Sequence, residues 1–109
     1  TSVLTACGND LSFDRIFSRQ IEAFGGEGDV FIALSTSGNS PNILLAAEKA
    51  AEKGVYVIGI TGKSGGRLGG LCGININIAS EKSMRIQEVY MALLHTVCEL
   101  TENKLADVK

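Results

Sequence analysis

Apolar and polar positions alternate along this chain in two periods, which sorts it into strands and helices. The β-branched, apolar runs Asp29–Leu34 and Val55–Ile60 have the length of buried strands. Between them an alanine-rich helical pattern runs from Pro41 to Lys53, and Gly54 follows as a fitting C′ residue. The three together predict a strand–helix–strand unit, parallel and right-handed. Upstream, Phe13, Ile16, Phe17, Ile21 and Phe24 recur at the spacing of a one-sided helix that Gly25-Gly26 stops, so these five side chains are expected in the core. Thr1–Ala6 is a short apolar run that predicts a strand, with Cys7-Gly8-Asn9-Asp10 as the loop after it.

Downstream of the second strand, Thr61–Gly66 is a polar, glycine-rich loop, and a short helix is expected near Arg67–Leu71. Ile74-Asn75-Ile76-Asn77-Ile78 alternates strictly, which predicts a strand near a sheet edge with one polar face. A last helix spans roughly Glu81–Leu105, and its stretch Val89–Cys98 carries no formal charge apart from a protonated His95. A helix on the outside of a sheet shows a charged stripe. This one is expected to be covered on nearly every side, with a second subunit as part of the cover.

Strands alternating with helices argue an α/β fold, a three-layer doubly wound parallel sheet. At 109 residues it forms one domain over 1–109. Ligands of such sheets sit outside the carboxyl ends of the strands. Asn9-Asp10, Ser35–Ser40 and Thr61–Gly66 all fall at that edge, which implies one polar crevice.

Composition narrows the function classes. With 45% hydrophobic and 20% charged residues and a net charge of −2, the chain has no basic footprint for nucleic acid. No apolar run is long enough to span a bilayer, and no secretion signal opens the chain. Cys7, Cys72 and Cys98 are odd in number and lack a C-x-x-C pair, as expected for reduced packing thiols in a cytoplasmic protein.

The chemistry concentrates in Ser35-Thr36-Ser37-Gly38-Asn39-Ser40-Pro41, between the first buried strand and its helix. Ser40 suits the N-cap and Pro41 the first helical position. The helix amides and dipole then point at the loop, and Gly38 can take positive φ to wrap it round a ligand. Four hydroxyls without a lysine suggest neutral donors that hold a phosphate reversibly. Elsewhere the residues allow plainer roles. Asn9 and Asp10 serve equally as turn and cap residues, Gln87 and Glu88 as solvated first-turn residues, and His95 as a packed core histidine.

Leu4-Thr5-Ala6, Asn9-Asp10, Gly28-Asp29-Val30, Ser35–Ser40, Thr61-Gly62-Lys63 and Arg85-Ile86-Gln87-Glu88 followed by His95 stand in the order of the sugar isomerase (SIS) family. The chain resembles the bacterial phosphoheptose isomerases within it. The resemblance implies a flavodoxin-like SIS domain that interconverts sedoheptulose 7-phosphate and D-glycero-D-manno-heptose 7-phosphate through an enediol, for surface polysaccharide. It implies Ser35, Thr36, Ser37 and Ser40 on the phosphate, and Asn9, Asp10 and Gln87 on the sugar. His95 is implied as an acid–base group, Gln87 and His95 as ligands to a zinc ion, and the assembly as a homotetramer. Eight residues separate Gln87 from His95, about 12 Å along a helix and about 80° around it, so the two cannot bond each other, and two ligands cannot close a zinc site.

Members of this group also carry an upstream Gly-Asn-Gly-Gly-Ser segment and a helix bearing the catalytic glutamate. Neither is in these residues. The chain is therefore expected to be the C-terminal part of a longer protein, with about 80 residues before it, and to be inactive alone. The alternative expectation is a non-catalytic SIS protein, either a replication-initiator-associating regulator or a sugar-phosphate-sensing module. Retention of both Gln87 and His95 favours the enzyme.

Overall fold

A computed structural model describes residues 1–107. Three parallel strands form the sheet in the order β1 (Val30–Ser35), β2 (Tyr56–Gly62) and β3 (Ile74–Ile78). Val30 pairs with Tyr56 and Ser35 with Thr61, while Ile58 pairs with Ile74 and Gly62 with Ile78. β2 is central, and β1 and β3 are the two edges. All three expected strands from Asp29 onward are present, and β3 lies at an edge as its alternation predicts.

Parity along the strands decides which face each helix covers. Phe31, Ala33 and Val57 point to one face, where α3 (Pro41–Glu52) lays Leu44, Ala47 and Ala50 on them. The alanines allow close approach, and with Val55 and Leu68 they make the core. α3 ends where Gly54 adopts φ 71° and Val55 N–H donates to the Ala50 carbonyl at 2.9 Å, a left-handed stop that favours glycine. α2 (Ile16–Phe24), preceded by a 3₁₀ turn at Phe13–Arg15, packs alongside α3. The opposite face receives the start of α4 (Ser83–Ala106) against β2 and β3. Helices on both faces of a parallel sheet make the three layers.

Three expectations are corrected. Thr1–Ala6 is helical, a π-helical turn over Val3–Cys7 running into α1 (Gly8–Asp10). A strand needs a neighbour for its backbone groups. Here they find local partners, Leu4 and Thr5 N–H both donating to the Thr1 carbonyl at 3.0 and 3.1 Å. Secondly, of the five residues expected in the core, only Ile16 is buried and Ile21 partly so. Phe13 and Phe24 are 60% and 80% exposed, and Phe17 is exposed too. α2 buries Ile16 and Ser18 and packs Ile21 against the core, while Phe17 and Phe24 stay outside it. Thirdly, β1 is buried on one face only, with Val30 and Ile32 exposed on the other.

α4 is 24 residues long, about 36 Å, yet Ile86 is its only buried residue. Val89, Met91, Val97 and Leu100 are exposed. Ile86 fits against β2 where Gly62 has no side chain. Ile86→Ala should therefore cost about 2–5 kcal/mol, read as a lower midpoint in denaturant with α4 detaching first. An unchanged midpoint would mean that α4 is anchored elsewhere.

Candidate functional site

The serine loop leaves β1 at Ser35 and enters α3 at Pro41. Its shape comes from short hydrogen bonds inside the loop and from a second loop beneath it. Gly38 N–H donates to the Ser35 carbonyl at 3.0 Å, and Gly38 takes φ 66°. A Cβ there would overlap the Gly65 carbonyl, so the Thr61–Gly66 loop abuts Gly38 backbone to backbone. Leu68 N–H donates to the Gly38 carbonyl at 2.9 Å, and Arg67 N–H to Asn39 Oδ1 at 3.0 Å. The two loops expected to share a crevice are thus locked together.

The hydroxyls can be accounted for one by one. Ser35 and Ser40 Oγ lie 3.0 Å apart and share one hydrogen bond, leaving one of their two protons uncommitted. Ser37 Oγ accepts from Asn39 N–H at 3.1 Å, so its own proton remains for a ligand. Thr36 Oγ1 accepts from Ser83 Oγ at 3.5 Å and keeps its proton likewise. Three donor protons, at the start of a 12-residue helix whose dipole favours negative charge, suit the oxygens of a phosphate.

One detail differs from expectation. Ser40 is the N-cap of α3, but its side chain makes no capping bond because Ser35 engages its hydroxyl. The Ile43 N–H goes to Asn42 Oδ1 at 2.9 Å and to the Ser40 carbonyl.

The other expected site residues divide. Gln87 is exposed on α4, four residues after Ser83 and so about 6 Å along the helix from the serine loop. His95 is exposed on the same helix, not packed in a core. It stands twelve residues beyond Ser83, about 18 Å along the axis, out of reach of a sugar held by this chain's own loop. Asn9 and Asp10 are not in a loop after a strand. They lie in α1, exposed, with Asn9 Nδ2 donating to Asp10 Oδ1 at 2.9 Å. The helical start of the chain carries them against the turn at Phe13–Arg15 rather than to the sheet edge.

No group of three histidine, cysteine or acidic side chains that could hold a metal occurs among the described residues. Gln87 and His95 by themselves do not fit a zinc centre, which takes about four ligands. Burial pushes the Cys72 thiol up, against a smaller lowering by a backbone hydrogen bond at Gly59, so it stays protonated at neutral pH and is no nucleophile. A groove of about 400 Å³ runs along the outer side of β1, lined by Phe17, Ile32, Leu34, Ser40, Asn42 and Ile43. It touches the serine loop only at Ser40 and is too apolar to be the sugar-phosphate site. No helix of the described residues is long and apolar enough to cross a membrane.

Ser83 and Asn39 are contributors that sequence reasoning passed over. A serine at the first turn of a helix reads as helix chemistry, and nothing local says that it faces Thr36, 47 positions upstream. Asn39 stood inside the motif, but its use as a brace between Ser37 and Arg67 is a long-range contact.

Comparison with known proteins agrees with this fold. The SIS domain family model matches residues 1–62. The chain is 52% identical to the phosphoheptose isomerase of Rhodospirillum rubrum, over 96% of this chain and 56% of that protein. It superposes on the structure of phosphoheptose isomerase GmhA from Neisseria gonorrhoeae with a TM-score of 0.87 and 40% identity, covering 91% of this chain and 56% of that one. A phosphoheptose isomerase structure from Francisella tularensis gives a TM-score of 0.86 at 37% identity, over 90% of this chain and 53% of the other. The chain spans about half the length of the curated relatives it matches.

Proposed function

Since this chain belongs to the SIS domain family, we propose that the protein carrying it is a phosphoheptose isomerase. It would convert sedoheptulose 7-phosphate to D-glycero-D-manno-heptose 7-phosphate, in the cytoplasm, for ADP-heptose and surface polysaccharide. The observation that carries this reading is the serine loop, whose three uncommitted hydroxyl protons sit at the start of α3. The name shared by its relatives supports the substrate.

Isomerisation needs a base to remove the proton beside the carbonyl and an acid–base pair to move protons between the two oxygens. In this reading the serine loop holds the phosphate end, and Gln87 meets the sugar. His95 handles a proton, and its distance along α4 from the loop supports a homo-oligomer in which His95 serves the site of another copy. A tetramer is the assembly proposed. The abstracting base is assigned to none of the described residues. Zinc enters only as an ion to which Gln87 and His95 would lend two donors.

The test is turnover. The intact, metal-replete protein incubated with sedoheptulose 7-phosphate should yield an aldose phosphate visible by NMR, and no turnover would sink the reading. Ser37→Ala removes one donor to the phosphate and should raise KM about fivefold to tenfold. An unchanged KM would remove the serine loop from the site.

A further inference from the structure

The alternating strand β3 has a use that its position at a sheet edge does not require. Asn75 and Asn77 share a face of the sheet with Thr61 of β2, and Thr61 pairs directly with Asn77. The Thr61 side chain is fully buried. Its hydroxyl donates to Asn75 Oδ1 at 3.0 Å and accepts from Asn77 Nδ2 at 3.1 Å. Asn77 Nδ2 also donates to the Gly62 carbonyl at 3.2 Å. Polar side chains on an open edge would ordinarily turn to water. Here both amides grip the carboxyl end of the central strand.

That end is where the supporting loop begins. The Gly62 carbonyl accepts from Gly65 N–H at 2.9 Å, closing the turn. Gly65 and Gly66 then press on Ser37 and Gly38, and Gly62 lies against the Thr36 carbonyl. Any shift of this turn is passed to three residues of the serine loop, because packed backbone has no side chain to absorb it.

We propose that Asn75 and Asn77, acting through Thr61, are positioning residues that set the affinity of the serine loop for the substrate phosphate. This rests on the reading of that loop as a phosphate cradle. The two asparagines act with opposite polarity. Asn75 is used as an acceptor and Asn77 as a donor, so aspartate can replace the first and not the second. At position 77 a carboxylate would face the Gly62 carbonyl with no proton to give.

The experiment uses the intact protein, with inorganic phosphate titrated by calorimetry and sedoheptulose 7-phosphate followed kinetically. Asn77→Asp should weaken phosphate binding and raise KM about tenfold, with kcat kept within about twofold. Asn75→Asp should leave both near the starting protein. The charge at position 77 stands about 6.6 Å further along the strand toward the loop than the charge at position 75. Both titrations are therefore repeated at high salt, which screens a difference in field and leaves a lost hydrogen bond. Thr61→Val should behave like Asn77→Asp, and Thr61→Ser should restore affinity.

Equal affinity in the parent, Asn77→Asp and Thr61→Val would overturn the inference, and so would equal weakening by both aspartates. A parent protein that takes up no phosphate would overturn the phosphate-cradle reading and this inference with it. The parent titration alone tells that failure from the others.

Discussion

Gly38→Ala should abolish phosphate binding in the intact protein and lower its stability by about 2–5 kcal/mol. Two independent causes add. Gly38 sits at φ 66°, where an L side chain crowds its own backbone, and that conformation alone costs an alanine about 1–2 kcal/mol. Its Cβ would also strike the Gly65 carbonyl and Gly66 nitrogen, which are backbone atoms and cannot rotate away. Relief requires the two loops to separate, which breaks the Leu68-to-Gly38 hydrogen bond and releases Asn39 from Arg67. The hydroxyls then lose their common setting. Gly70→Ala is the control, since nothing lies within 4 Å of the added carbon, and it should change neither phosphate affinity nor the unfolding midpoint. A Gly38→Ala protein with the parent's affinity and midpoint would show that the two loops are not locked.

His95→Ala in the intact protein should lower kcat by about a hundredfold or more, the usual scale of one acid–base group, with little change in phosphate affinity. The position of His95 makes a sharper result available. If the histidine that serves a given serine loop belongs to another copy, two inactive variants can repair each other. Ser37→Asp places a carboxylate where the phosphate should sit, and such a protein keeps His95 but loses its loop. Mixed in equal amounts with His95→Ala and allowed to exchange subunits, it should regain about a quarter of the parent activity, since half the loops and half the histidines are sound. Failure to regain activity, with subunit exchange confirmed, would mean that each site takes its loop and its histidine from one chain.

The strands, α3 and the serine loop were legible because local pattern determines them. A run of β-branched residues ending in Ser-Thr-Ser-Gly-Asn-Ser-Pro can only leave a sheet and enter a helix, and Gly54 marks where that helix stops. The failures share another cause. Thr1–Ala6 has strand-like composition, but strand pairing is a property of two segments, and these residues satisfy their amides among themselves. Phe13, Phe17 and Phe24 have helical spacing, yet spacing does not say which part of an apolar stripe a neighbour will cover. Asn75 and Asn77 read as the wet face of an edge strand, because the bond each makes to Thr61 spans 14 and 16 residues. Asn9 and Asp10 were placed by the strand expected before them, and they moved with it.

The open side of β1 has a consequence for handling this polypeptide. The strand lies at a sheet edge, and Val30-Phe31-Ile32-Ala33-Leu34 contains no charge or proline to deter a stranger. Exposed Val30 and Ile32 flank it on one face, and Phe17 and Phe24 are bare nearby. Such an edge is a template for intermolecular pairing. Produced as these residues alone, the chain should gather into insoluble β-rich aggregates. A lysine at Ile32, on the uncovered face, should keep it in solution while leaving the serine loop intact.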